Sequence, residues 1–263
     1  MDTLTIEGVK DYQLCSLLYK YRHIDELHES IPKRDLLSIR YDNVIKKIAA
    51  FFFYKKQSGS LPSTNAILNR WERLWFPKNT KAEDLISEQH ESAHGNLVTY
   101  NSTATNALIR FYEDFANDKR HPVLINEDFV SPLSKKVKLN GTFDLMLQDV
   151  DKNNGYKFHY IKWVTSKRPP SHASLILDFG ALKSVLDYRY NKVRKYDISY
   201  YIYDLGSSSP GITKMNIEKN DESVFRFWAN EAVIADKYPP RRGLTTYCKR
   251  CPFDKPCSKF SID

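Results

Sequence analysis

Cysteine is scarce in this chain, with four in 263 residues. Disulfides would imply an oxidising compartment, and the first residues carry no signal-peptide pattern. A reducing, intracellular and cytoplasmic setting is therefore expected. No apolar run approaches the roughly 20 residues that cross a bilayer, so no membrane partner is expected. Internal repeats and long low-complexity tracts are missing too, which excludes a repeat array or a biased linker. Acidic residues are in the minority, 32 against 40 Lys and Arg, for a net charge of +8 and a pI near 9.1. That balance favours a polyanionic partner such as nucleic acid.

The few cysteines are not spread at random. Cys248, Cys251 and Cys257 form a C-x2-C-x5-C run, and Cys15 stands more than two hundred residues upstream. Thiolates at such spacing select zinc or an iron–sulfur cluster, because both accept four sulfurs in a roughly tetrahedral set. A ligand set split between distant segments would act as a staple, turning metal-binding free energy into folding free energy.

Between these cysteines the periodicity changes once. Residues 1–118 read as mainly helical. One pattern carries Leu14, Leu17, Leu18 and Tyr21 with Cys15 near its start, and another runs from Asp35 to Lys56. Ser63 is placed to cap a third helix holding Leu68, Trp71, Leu74 and Trp75, and one or two more helices are expected between Ala82 and Phe115. From residue 119 to 237 strands dominate. They are expected at Pro122–Val130, Lys136–Gly141, Thr142–Leu147, Tyr156–Val164, Asp197–Asp204 and Thr213–Ile217, with a turn at Asn153–Gly155. Helices are expected at Leu175–Tyr190 and Glu222–Lys237, and residues 238–263 hold the cysteine run. The expected class is α/β, one structural unit with a mixed sheet flanked by helices.

This order of motifs resembles the RecB-type branch of the PD-(D/E)XK nuclease superfamily, the branch with an iron–sulfur staple. CRISPR-adaptation exonucleases and AddB-type helicase–nuclease subunits belong to it. Cys15 followed by Tyr19 matches its first cysteine, and Pro239 to Cys257 its last three. Glu127, followed by Leu139-Asn-Gly141-Thr-Phe-Asp144, matches its Glu and Gly-x-x-Asp steps. The resemblance implies a [4Fe–4S] cluster on the four cysteines, in preference to zinc. It also implies that Asp144 and an acid on the next strand hold Mg²⁺ or Mn²⁺ beside the scissile phosphate. A lysine two residues on would position the attacking water.

The match fails at the chemistry. Aligned on Thr165-Ser166, Lys162 stands where that acid belongs and Val164 where the lysine belongs. The family's histidine ligand would fall near Thr99-Tyr100, with His90 and His94 upstream. The helix of Asp178-Phe-Gly180 to Ser184 has Gly and Ser where a Gln and a Tyr are usual. The expectation is a nuclease-fold, nucleic-acid-binding protein, DNA being the expected partner, with a degenerate site at Asp144, Glu127 and Lys162. Lys135, Lys136, Lys138, Lys162, Lys167, Arg168, Arg241 and Arg242 would contact phosphates. Tyr160 and Trp163 would stack on bases or belong to the core. One alternative is an active Mg²⁺- or Mn²⁺-dependent DNA exonuclease, with Asp144, Glu127 and Asp178 on the metal. Another is a structural subunit of a larger assembly, such as a virion or replication complex, in which the cleft contacts protein.

Overall fold

The computed structural model describes residues 2–27, 33–76, 97–149, 156–166, 170–190, 196–207, 210–217, 221–240, 248, 251–253 and 257. The chain opens with a short strand, β1 (Asp2–Thr5), and runs directly into α1 (Ile6–Leu14). Cys15 is extended (φ −162°, ψ 117°) and separates α1 from α2 (Ser16–Tyr19), which continues into a π-helical turn, Lys20–Ile24. The single helix expected here is thus broken at the cysteine itself. The long α3 (Lys33–Gln57) and α4 (Thr64–Trp75) follow. Ser63 caps α4 as its position predicts, its Oγ accepting the Ala66 N–H at 3.2 Å. Of the helices expected between Ala82 and Phe115, α5 (Leu97–Phe115) is present, and residues 82–96 lie outside the described residues.

The strands are β2 (His121–Pro132), β3 (Val137–Gln148), β4 (Tyr156–Val164), β5 (Tyr196–Asp204) and β6 (Gly211–Met215). Helix α6 (His172–Tyr190) links β4 to β5, and α7 (Asp221–Ile234) follows β6. The predicted turn at Asn153–Gly155 lies outside the described residues. Two expected strands are one: β3 runs unbroken through Gly141. A Cβ there would lie 2.8 Å from Ile6 Cδ1, so this glycine admits α1 against the strand. It does not mark a turn.

Among the described residues the sheet is six-stranded and mixed. Strand β2 lines one edge of β3 along its length, antiparallel. The other edge of β3 is shared. Strand β1 pairs parallel with Val137–Asn140, and β4 pairs antiparallel with Leu145–Gln148. Residues 141–144 of β3 therefore lie in a fork between two strands that run apart. Beyond β4 come β5, parallel to it, and β6, antiparallel.

Helices cover both faces of the sheet. On one, α3, α4 and α5 bury an aromatic-rich core, with Trp71 and Trp75 stacked at 4.9 Å and Phe52, Phe53 and Phe111 meeting edge to face. On the other, α1, α6 and α7 pack over Phe143, Phe158, Tyr160 and Tyr200. The inside–outside alternation of β2 and β3 resets near the fork. Phe143 and Met146, of opposite parity, both reach the α1/α6/α7 core, as do Leu124 and Phe129 on β2. Between the latter two, Asn126 has φ 45°, in the left-handed region that Asn tolerates better than most side chains. Among the described residues no helix is long and apolar enough to cross a membrane.

Candidate functional site

The fork is closed by a side chain. The ladder between β3 and β4 stops at Leu145 and Ile161. One residue further out, Asp144 Oδ2 accepts the Trp163 N–H at 3.0 Å, and the Asp144 N–H points to the Tyr160 hydroxyl at 3.4 Å. The carboxylate thus stands in for the missing backbone partner, since an orphaned buried N–H is costly. Asp144 is buried within a strand; it is not a solvated turn residue. Helix α1 starts in the mouth of the fork, its N-terminus capped by Thr5 Oγ1, which accepts the Gly8 N–H at 2.8 Å. Thr5, Ile6 and Glu7 line a cleft of about 620 Å³ there, with Asp144 and Lys162 in its wall.

The cleft's charges are largely spent on one another. The Lys162 ammonium lies 3.1 Å from Asp178 Oδ2, and the Lys10 ammonium 2.7 Å from Asp178 Oδ1 and 2.8 Å from Glu7. Lys46 pairs with Asp42 at 3.0 Å. Burial alone would lower the Lys162 pKa, but Asp178, Tyr160 and Asp144 hold it well above its ordinary value. Burial would raise Asp178, yet Lys162 and Lys10 bring it below the usual carboxylate range. For Asp144 burial prevails over the pull of Lys162 and Lys46, and its pKa is raised. The 3.1 Å approach of Lys162 lacks hydrogen-bond alignment, so Asp178 Oδ2 has no hydrogen-bond partner among the described residues; nor has the buried Tyr200 hydroxyl.

The predicted site residues divide accordingly. Asp144, Lys162 and Asp178 share the cleft, but Glu127 does not line it. Glu127 is half-exposed and faces Arg189 of α6, 3.7 Å away, while its neighbours Asn126 and Asp128 face the cleft. The helix opposite Asp144 is α3, through Asp42, Asn43 and Lys46; Thr99 and Tyr100 line a neighbouring cavity instead. His90 and His94 lie outside the described residues, as do Lys167, Arg168, Arg241 and Arg242. Lys135, Lys136 and Lys138 are exposed, at the far end of the β2–β3 hairpin. Tyr160 and Trp163 are 3% and 1% exposed, so they are core and cannot stack on bases. Lys162, held by Asp178, is not available to a phosphate. Lys10 and the α3 residues were not expected. An i, i+3 pair such as Glu7–Lys10, or Asp42–Lys46 on an amphipathic helix, reads from sequence as a solvated face.

The cysteines lie at the opposite end of α1. All four are among the described residues, all are half-buried, and no disulfide joins any two of them. The Ser16 hydroxyl donates to the Pro239 carbonyl at 2.8 Å, and Tyr21 packs on the buried Phe253 with ring centroids 5.5 Å apart. These contacts bring the C-terminal run to Cys15. Within the run the Cys251 N–H points to the Cys248 carbonyl (3.4 Å) and the Cys257 N–H to that of Phe253 (2.9 Å). Burial pushes the Cys251 thiol up, and Cys15, Cys257 and Cys248 each add to the rise. Among the described residues no group of three or more His, Cys, Asp or Glu side chains is arranged to hold a metal ion.

No protein-family model matches the chain, and no curated protein matches it. Among solved structures it is similar to a crystal structure described as SSO0001, with 11% identity and a TM-score of 0.41 over 99% of this chain and 88% of that one. Similarity at that level assigns no family.

Proposed function

We propose that the chain is a nuclease-like protein that binds nucleic acid without cutting it and whose distant segments are tied by a [4Fe–4S] cluster. The observation that carries the first half is the Lys162 ammonium, 3.1 Å from Asp178 in the cleft that also holds Asp144. Metal-assisted cleavage needs carboxylates open to Mg²⁺ or Mn²⁺. Here Glu7, Asp42 and Asp178 are each paired with an ammonium group, and a cation in their midst repels a second one. Lys162 cannot serve as a general base either, because a pKa well above the ordinary lysine value keeps it protonated at neutral pH.

Binding rests on the outer surface. Lys135, Lys136 and Lys138 are exposed on a chain of net charge +8, which suits sequence-independent contact with phosphates. The cluster reading rests on the spacing of the four cysteines and on the contacts that bring the C-terminal run to Cys15. Held by Cys15, Cys248, Cys251 and Cys257, the cluster would contribute folding free energy.

The test uses anaerobically purified protein and end-labelled single- and double-stranded DNA with Mg²⁺ or Mn²⁺. No cleavage is expected, and binding should weaken steeply with salt. Cleavage that Asp144→Asn abolishes would establish the exonuclease alternative, and neither cleavage nor binding would leave a subunit of a larger assembly. Iron and sulfide analysis should give about four iron atoms per chain; stoichiometric zinc would overturn the cluster assignment.

A further inference from the structure

A second cavity, of about 290 Å³, adjoins the cleft, and Asp42 lines both. It lies at the C-terminal ends of the parallel strands β4 and β5, where open α/β sheets usually receive ligands. Hydroxyl groups surround it, from Ser38 on α3, Thr99 and Thr103 on α5, and Thr165 and Ser166 after β4. Ile39, 42% exposed, and the Tyr100 ring supply carbon walls.

The back of this cavity is tightly built. Leu205 N–H donates to the Val164 carbonyl at 2.7 Å, and the Tyr41 hydroxyl donates to the Leu205 carbonyl at 2.6 Å. Asp204 Oδ1 accepts the N–H groups of Gly206 and Ser207 at 2.8 and 3.1 Å. A Cβ on Gly206 would lie 2.1 Å from the Thr165 carbonyl oxygen, so the two loops meet in a way only glycine allows.

The lining chemistry selects the occupant. Among the described residues no Lys or Arg lines it, and the Asp42 carboxylate there opposes an anion. The volume sits at the lower limit of the ~300–1,000 Å³ usual for ligand pockets and suits a small ring system. Apolar faces with a hydrogen-bonding rim are what an aromatic heterocycle requires. The contacts that Thr165 and Lys46 make to Asp42, at 2.5 and 3.0 Å, both fall on Oδ1. Oδ2 takes part in neither, which leaves an acceptor for an amino group.

We propose that this cavity takes one unpaired nucleobase, with its exocyclic amino group on Asp42, and so prefers cytosine and adenine to thymine. The inference rests on the nucleic-acid reading above and gives it a single-stranded substrate. The strand would lie across the hairpin lysines with one base turned into the cavity.

The test titrates the full-length protein with 2′-deoxycytidine, 2′-deoxyadenosine, thymidine and 2-deoxyribose, followed by ligand-observed NMR. The two amino-bearing nucleosides should bind with Kd near or below about 1 mM. Thymidine should bind at least fivefold more weakly, and the sugar not at all. Thr103→Val, which keeps the side-chain shape, and Asp42→Asn should each weaken deoxycytidine at least fivefold, with the fold checked by circular dichroism. Equal binding of thymidine, or of the sugar alone, overturns the proposal, as does silence from every nucleoside up to about 10 mM. DNA binding without nucleoside binding defeats the cavity alone. Nucleoside binding without salt-sensitive DNA binding upholds the cavity and defeats the hairpin reading.

Discussion

Three lysines stand in or beside the cleft and three at the tip of the β2–β3 hairpin, in opposite situations. Lys10, Lys46 and Lys162 meet carboxylates at 2.7 to 3.1 Å. Lys135, Lys136 and Lys138 are exposed and make no ion pair among the described residues. Lys10 and Lys162 are part of the architecture, because removing either weakens the pairing of the buried Asp178 carboxylate, whereas the Lys46–Asp42 pair is partly solvated. A charge in the second group costs little to remove and is open to any anion that arrives. Composition counts all six alike, so the net charge overstates what the cleft can offer a phosphate and leaves the hairpin to provide it.

The comparison breaks most sharply at Lys162. Lys162→Met should lower the free energy of unfolding by about 3–5 kcal/mol in urea titrations, as removing one partner of a buried pair does. A loss below about 0.5 kcal/mol would place Lys162 with the hairpin lysines.

The two carboxylates beside Lys162 should respond oppositely. Asp178 is held below its unfolded value near 3.9, so its contribution is present above that value and lost as pH falls through the depressed pKa. Asp178→Asn should therefore cost about 2 kcal/mol at neutral pH and flatten the acid limb of the stability curve. Asp144 is raised, so its contribution is present at low pH and lost as pH rises through the raised pKa. Asp144→Asn should be no less stable than the parent at neutral pH, its amide oxygen still able to accept the Trp163 N–H. Thermal melts from pH 3 to 8 check both signs.

On the hairpin, replacing Lys135, Lys136 and Lys138 together with Gln should leave the melting curve in place. The slope of log K against log salt for DNA should become shallower by about 0.7–0.9 for each lysine that contacts phosphate. The smallest effect is expected at Glu127. Its half-exposed pair with Arg189 is worth under about 0.5 kcal/mol, and Glu127→Gln should change neither stability nor DNA binding measurably. A large binding defect there would return Glu127 to the site.

Much of this fold is legible in the sequence where local chemistry acts alone. Ser63 announces α4, and the spacing of Leu175, Phe179, Leu182 and Leu186 announces α6, with all four side chains buried. Legibility ends where distant segments decide. The four residues of β1 show no usable alternation and become a strand because Val137–Asn140 lies beside them. Gly141 ends one expected strand until Ile6 is placed against it. The Gly-x-x-Asp step locates Asp144, and the register of the following strand puts Lys162 beside it in the cleft. That Lys10 and Lys162 would flank Asp178 depends on α1, β4 and α6 meeting, which no spacing along the chain records. Glu127 lies off the cleft for a local reason with a remote effect, since the left-handed Asn126 and the reset of alternation accompany its turn toward Arg189 of α6.

Strand β1 also sets an order in time. Its partner begins at Val137, and α1 packs on α6 and α7 further on still. As the chain is made, α3 to α5 can form local helical contacts while residues 2–14 wait for strands and helices that do not yet exist. Chains dominated by such distant pairings fold slowly, because loop closure comes before the contacts that reward it. The segment carrying Cys15 and Lys10 is then made before its partners and settles only after them, and a chain stalled between the two would display it.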